Sequence, residues 1–250
     1  MKDEEIDRMA EFEENYWWFI GRKKIIGTII EKHVKLKQNL RILDAGCGSG
    51  NTTLELKKFG NVYGIDFSFS ALRYAKNRGI NKVVQSSSYD LPFLSNTFDV
   101  ITILDVLEHI EDDSRVLKEL KRILKQDGII LITVPAFQFL WSDHDTALSH
   151  FRRYNHKNLH KIVTQSGLTS TRLTYFISCL FPILALYRIL STFKKKKLNP
   201  KPTLIQLPSI VNNILKQMLY FENKILQAIN MPFGLSLFCV AKINVDKKIN

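Results

Sequence analysis

The chain has 250 residues, 45% of them hydrophobic, and a formal net charge of +12. That length and apolar fraction suit one sizeable domain with a full core and exclude wholesale disorder. The charge admits nucleic acid, an anionic membrane surface or an acidic substrate as partner. Three cysteines (47, 179, 239) without pairing or metal-ligand spacing point to a reducing, cytoplasmic compartment.

Met1 to Glu5 is too acidic for a signal peptide. Residues 1–38 read as a helical lid. Ile6, Met9, Ala10 and Phe12 recur at helical spacing before the cluster Tyr16-Trp17-Trp18-Phe19, and a helix from Arg22 to Val34 turns Ile25, Ile26, Ile29 and Ile30 inward. Leu40-Arg41-Ile42-Leu43 is strand-like and runs into Asp44-Ala45-Gly46-Cys47-Gly48-Ser49-Gly50, with a helix start at Asn51. Strand and helix then alternate. Strands are predicted at 61–66, 82–85, 98–104, 129–134, 171–178 and 235–241. Helices are predicted at 71–78, at 115–125 (with Gly128 as its stop), at 159–166 (with Gly167 as its stop), at 182–193 and around 214–226. The pattern predicts one α/β domain with a Rossmann-like, doubly wound, seven-stranded, mostly parallel sheet and helices on both faces. Its parts are the lid (1–38), a ligand-binding core (39–179), an apolar helical insertion (180–232) and the last strand (233–243). Residues 173–193 are too interrupted, by Thr174, Ser178, Pro182 and Arg188, for a membrane span.

The glycine loop is where a ligand belongs, because glycine lets the backbone turn with positive φ beside the unpaired N–H groups of a helix start. Glycines at 46, 48 and 50, with Asn51 following, miss the dinucleotide register. Asp44 would repel a pyrophosphate and attract an ammonium group. The stretch resembles motif I of the class I S-adenosylmethionine (SAM)-dependent methyltransferases. The resemblance implies SAM as cofactor, with Asp44, Gly46, Cys47 and Gly48 around its amino-acid end. Asp66 ends the second strand, where a carboxylate accepts bonds from ribose hydroxyls or else caps a helix; Phe67 beside it could lie against adenine. Ser86 to Phe93 resembles the family's Gly-Asp-Ala…Leu-Pro-Phe stretch, with Ser87 in the place of the adenine-binding Asp and Ser88 next to it.

Phe98 to Ile110 resembles motif IV of small-molecule methyltransferases, among them the ubiquinone- and menaquinone-pathway enzymes. The resemblance implies backbone contacts at Leu104 and places Asp105, Glu108 and His109 at the crevice. Asp-x-x-Glu-His is similar to the Glu-x-x-Glu-His pattern that binds a divalent ion in ubiquinone O-methyltransferases. His109 is equally readable as a base for a hydroxyl acceptor or as a loop-shaping residue, and no metal site is assigned. Trp141, His144, Asp145, His150, Arg152, Arg153 and Tyr154 follow the fifth strand. His144 and His150 are further base candidates with Asp145 as orienter or metal co-ligand. Trp141, Asp145, Arg152, Arg153 and Tyr154, with Trp17 and Trp18 from the lid, are candidate substrate contacts; loop capping is the alternative. These stretches and Pro232-Phe233-Gly234-Leu235-Ser236 resemble a bacterial and archaeal branch of the same methyltransferases.

The apolar 182–193 helix followed by Lys194-Lys195-Lys196-Lys197 suits peripheral attachment to an anionic membrane and a lipid-linked acceptor. Covering the sheet or a second subunit is the other use of such a helix. An NAD-dependent oxidoreductase is opposed by Asn51. An RNA-binding or RNA-modifying protein is opposed by the scatter of the lysines and by the lack of an Asn-Pro-Pro-Tyr-type motif. Neither acceptor nor oligomeric state follows from the sequence.

Overall fold

The computed structural model describes residues 10–34, 39–191 and 206–244. Seven strands form one sheet: β1 (Leu40–Ala45), β2 (Gly60–Asp66), β3 (Val83–Gln85), β4 (Phe98–Leu104), β5 (Leu124–Pro135), β6 (Leu168–Phe176) and β7 (Ser236–Ile243). Their order is β3-β2-β1-β4-β5-β7-β6, and β7 alone runs antiparallel to its neighbours. The direction of winding reverses between β1 and β4, so a crevice opens beyond the carboxyl ends of those two strands.

The described helices are α1 (Trp17–Val34), α2 (Asn51–Leu56), α3 (Phe69–Asn77), α4 (Asp113–Ile123), α5 (Asp143–Ala147), α6 (His156–Gln165), α7 (Phe181–Ser191) and α8 (Ser209–Leu226). Both faces of the sheet are covered, so its central strands are apolar on both sides. Leu43, Ile101, Ile103, Ile130 and Ile132 meet Val116, Leu117 and Leu120 of α4 and Leu159 and Val163 of α6. Their alternates Ile42, Val100, Leu131, Phe238 and Val240 meet Ile25, Ile26 and Ile30 of α1 and Leu219 and Leu226 of α8. Each such side chain contributes about 1.5–3 kcal/mol through burial.

Helix α8, the second helix of the insertion between β6 and β7, is thus part of the core. A Cβ on Gly21 of α1 would overlap Leu219 Cδ1 and stand 2.9 Å from Leu219 Cβ, so the two helices cross in close contact. Asn223 Nδ2 donates to Thr28 Oγ1 at 3.0 Å, and Glu222, fully buried, accepts the Ser178 and Cys179 backbone N–H groups at the start of the insertion.

Two expectations change. The stop for α4 is not Gly128: the helix ends at Ile123, and Leu124 enters β5 at once to pair with Phe98. Gly128 lies within β5, where a Cβ would stand 2.7 Å from Leu124 Cδ1 and 3.0 Å from the Asp99 carbonyl. The last strand begins at Ser236, after a lead-in from Pro232 to Leu235. Gly167, with φ +76°, ends α6 as its position implied. The Lys194–Lys197 run lies outside the described residues.

Candidate active site

The glycine loop sits at the mouth of the crevice. Gly46 and Gly48 hold φ of +79° and +53°. A Cβ on Gly46 would overlap Val106 Cγ2 and lie 3.2 Å from Cγ1, whereas one on Gly48 would meet nothing within 4 Å. The loop is therefore packed on one side and open on the other, where a ligand can approach its backbone. Asp44 lies beneath it, almost fully buried, and accepts Thr53 Oγ1 and Thr102 Oγ1, each at 2.7 Å. Burial raises its pKa. Two hydroxyls leave lone pairs on this carboxylate for a further donor. The Cys47 thiol is buried against Gly64, and burial raises its pKa far beyond the physiological range.

Asp66 braces the loop from β2. Its carboxylate accepts Gly48 N at 2.9 Å and Ser68 N at 2.8 Å, while Ser68 itself caps α3. The cap reading of Asp66 thereby passes to its neighbour. Phe67 stands 80% exposed, Ser87 is exposed with its Oγ accepting Tyr89 N at 3.3 Å, and Ser88 is half-buried. Leu104 closes the end of β4.

Sequence reasoning missed Arg22. Its guanidinium stacks 4.5 Å from the Trp18 ring centroid, pairs with Asp105 Oδ2, and keeps a buried Nε without a partner. The signal was present as a basic residue four positions after Trp18, on the face that the isoleucines leave. Glu13 was missed too: its side chain meets Ser49 Oγ and Arg78, and its carbonyl accepts Asn51 Nδ2 at 2.6 Å. The lid is thus tied directly to the glycine loop. Trp17, by contrast, is core, with its indole packed among the buried residues of α1 and α8. Trp18 is half-buried, with the Arg22 guanidinium against its ring.

Glu108, His109 and His150 converge beyond the end of β4. One ligand atom from each lies within 4.8 Å of the other two, and the imidazole centroids are 4.6 Å apart, edge to face. Glu108 is 1% exposed and its Oε2 has no partner; burial, with Asp105 nearby, pushes its pKa well above the usual range. Burial and the neighbouring His150 lower His109 to about 4. Asp105 leaves the expected Asp-Glu-His set because its carboxylate is taken by Arg22.

Much of the polar stretch after β5 serves the protein itself, which corrects the substrate reading. Asp145, fully buried, accepts Arg153 Nε and Nη2 at 2.7 and 3.0 Å, His150 Nδ1 at 3.0 Å and Ser142 N at 2.9 Å. Burial opposes its ionisation, but the bonds from His150 and Arg153 outweigh that and hold the carboxyl well below the usual range. Arg153 also bonds the Ala136 carbonyl. Arg152 bonds Asp113 and the Glu111 carbonyl, and Tyr154, buried, donates to Asp113 at 2.8 Å. None of Asp145, Arg153 and Tyr154 has a surface to offer a substrate; their short polar bonds position the loop instead. Trp141 Nε1 donates to Thr146 Oγ1 at 3.3 Å across α5. His144 is not one of the three converging side chains, and burial with Arg188 close by lowers it to about 4. A run of aromatics that the sequence did not single out leads away from the loop: Phe139, Phe137, Phe181 and Phe233 in successive contact, with Tyr175 stacked on Phe137 at 4.9 Å.

Residues 43–132 match the sequence model of a family described as a methyltransferase domain. A demethylmenaquinone methyltransferase of Staphylococcus aureus is 30% identical over 155 residues, covering 56% of this chain and 61% of that protein. The chain thus spans less than two thirds of the length of the curated relatives it matches. A SAM-dependent methyltransferase from Archaeoglobus fulgidus superposes with a TM-score of 0.56 at 16% identity, over 94% of this chain and 99% of its own. One from Aquifex aeolicus gives 0.55 at 20% identity, over 70% and 93%. A cyclase superposes as well, at 0.56 and 17% identity over 87% and 80%. At these identities the structural likeness shows the fold alone.

Proposed function

We propose that this chain is a class I SAM-dependent methyltransferase, a reading supported by its fold and by the domain matched at residues 43–132, and that it transfers a methyl group to a small or lipid-linked acceptor. The carrying observation is the cradle: a glycine loop open at Gly48, an acidic floor at Asp44, and a buried Arg22 Nε without a partner. An ammonium group suits Asp44, a carboxylate suits Arg22, and ribose and adenine suit Asp66, Phe67 and Ser87. A dinucleotide's pyrophosphate suits none of these. Bound there, SAM supplies a methyl activated by a sulfonium. The chain's residues do the rest: Asp66 and Gly46 fix the loop, while Trp18, Arg22 and the Glu13 contacts close the lid and keep water from the crevice. The work is mostly positioning in a dry site. His109, which burial keeps neutral, and His150 beside it face the acceptor to hold or deprotonate a hydroxyl.

Two features support an apolar, lipid-linked acceptor. The aromatic run from Phe139 to Phe233 continues the acceptor end into the insertion. Helix α7 exposes Ile183, Leu186, Tyr187 and Leu190, and α8 exposes Ile210, Ile214 and Phe221 beside an apolar hollow at Cys179 and Met218. No helix among the described residues is long and apolar enough to cross a membrane; the attachment we propose is peripheral, helped by Lys194–Lys197. Calorimetry with SAM and with NAD tests the cofactor, and NAD binding without SAM binding refutes the assignment. Lipid and metabolite extracts incubated with deuteromethyl-labelled SAM, read by mass spectrometry, identify the acceptor. Flotation with anionic liposomes at low salt tests the surface; protein that stays at the bottom of the gradient excludes it.

A further inference from the structure

Residues 10–16 form a strap that is held at both ends. At the glycine loop, Glu13 meets Ser49 Oγ and Arg78, and its carbonyl accepts Asn51 Nδ2 at 2.6 Å. At the insertion, Asn212 of α8 donates through Nδ2 to the Asn15 carbonyl at 2.8 Å and accepts Trp17 N through Oδ1 at 2.9 Å. The half of α8 that carries Asn212 is weakly held. None of residues 209–218 is buried, Pro208 at the helix start supplies no side-chain cap, and Ile210, Val211 and Ile214 are exposed. A helix end with so few buried contacts and no cap lies at the low-stability end of a fold.

The same half of α8 belongs to an apolar surface. Ile214 lines, with Cys179, Met218 and Phe221, a hollow of about 540 Å³. Residues 177–235 carry eight basic side chains and one acidic one, Glu222, which is fully buried. An apolar face set among cations, with no exposed carboxylate, fits an anionic lipid surface. A second copy of the chain would bring the same cations against it.

We propose that this surface is a switch for the cofactor: docking on anionic lipid immobilises the first half of α8 and, through Asn212, holds the strap closed on the glycine loop. The proposal rests on the peripheral attachment argued above and deepens it. A lipid surface shifts the strap only by binding the clamped form better than the released one. It does so because Ile210, Val211 and Ile214 reach the surface together only while these turns of α8 are formed. By linkage, a ligand held under the strap tightens lipid binding by the same factor. Arg188 of α7 bonds the Leu140 carbonyl and Ser142 Oγ, so the outer face of that helix, with Ile183, Leu186 and Leu190 exposed, is fixed to the loop after β5. The cofactor is thereby retained where an apolar acceptor would enter from the lipid.

Equilibrium dialysis of the full chain with labelled SAM, alone and with equimolar phosphatidylglycerol–phosphatidylcholine vesicles, reads the coupling. SAM should bind about 5-fold tighter or more on these vesicles. Pure phosphatidylcholine should give no gain, and saturating SAM should raise vesicle partition by the same factor. Hydrogen exchange of residues 10–17 should slow on docking, with or without SAM. Ile210→Glu/Ile214→Glu should dock less and keep the vesicle-free SAM affinity, whereas Asn212→Ala should float with the vesicles and lose the gain. A docked chain with unchanged SAM affinity and unchanged strap exchange overturns the switch and leaves the attachment standing. No docking overturns both, and a gain kept in Asn212→Ala overturns the route through the strap. Docking that slows strap exchange in a chain that binds no SAM supports the lipid coupling and removes the methyl-transfer reading alone.

Discussion

Gly46→Ala tests the cradle because two separate costs arise at one methyl group. With φ at +79°, the new Cβ meets the penalty of the left-handed region, about 1–2 kcal/mol. It also overlaps Val106 Cγ2, and forcing a methyl into a packed contact costs about 1–3 kcal/mol. The sum is about 2–5 kcal/mol, which corresponds to roughly 30-fold to several thousandfold weaker SAM binding if the loop must hold this shape to bind. The costs can be separated. In Gly46→Ala/Val106→Ala the overlap goes and the dihedral strain stays, so about 1–3 kcal/mol returns, a recovery of roughly 5- to 150-fold. Calorimetry with SAM gives the affinities, and thermal unfolding shows whether the strain is absorbed as lost stability instead. A folded Gly46→Ala protein with wild-type affinity and melting temperature would refute the reasoning. A double variant no better than the single one would refute its steric half.

Arg22→Met should weaken SAM by about 1.5–3 kcal/mol, the worth of a hydrogen bond to a charged group; 5′-methylthioadenosine, which lacks the amino-acid end, should bind as to wild type. Equal losses for both ligands would show that Arg22 only shapes the lid. Arg153→Met leaves Asp145 buried without its forked partner, a break that costs about 3–5 kcal/mol. The melting temperature should fall by about 6–20 °C, and an unchanged value would deny the pair its structural role. Of the three cysteines, Cys47 and Cys239 are buried, with Cys239 pushed up to about 12 by burial, and Cys179 is exposed beside Glu222. A thiol reagent at pH 8 should titrate one group slowly in the native protein and all three in denaturant; rapid reaction of a second thiol would show the loop or β7 to be open.

The sheet and the cofactor half were legible because local rules and tertiary use coincide there. A strand that must be buried on both faces has to read as Ile42-Leu43 or Val100-Ile101, and a loop that must turn left-handed under a ligand has to carry glycine at 46 and 48. Gly128 shows the limit. A glycine after an amphipathic helix fits a C-terminal stop, yet here it answers a long-range need, the approach of the Asp99 carbonyl from β4. No local pattern distinguishes the two. Trp17 fails for the same reason, since two adjacent tryptophans on a helix must face different surroundings, and only the position of α8 decides which is core.

The acceptor half was less legible because charged side chains can bind one another as well as a ligand. Arg152, Arg153, Asp145 and Tyr154 looked like a substrate's partners, and their geometry makes them partners of the chain: Arg153 with Asp145, and Arg152 and Tyr154 with Asp113. That internal pairing carries information in turn. A loop held by so many directed bonds cannot yield to its ligand, so what it presents is fixed in advance, and it presents His150 against His109 and Glu108. Asp113 extends the same constraint to the start of α4, through Tyr154, which also donates to the Leu107 carbonyl beside Glu108. The internally paired polar residues thus hold both sides of the Glu108, His109 and His150 cluster, and under the proposed methyl transfer such preorganisation is what lets a mostly positional catalyst favour one acceptor over another.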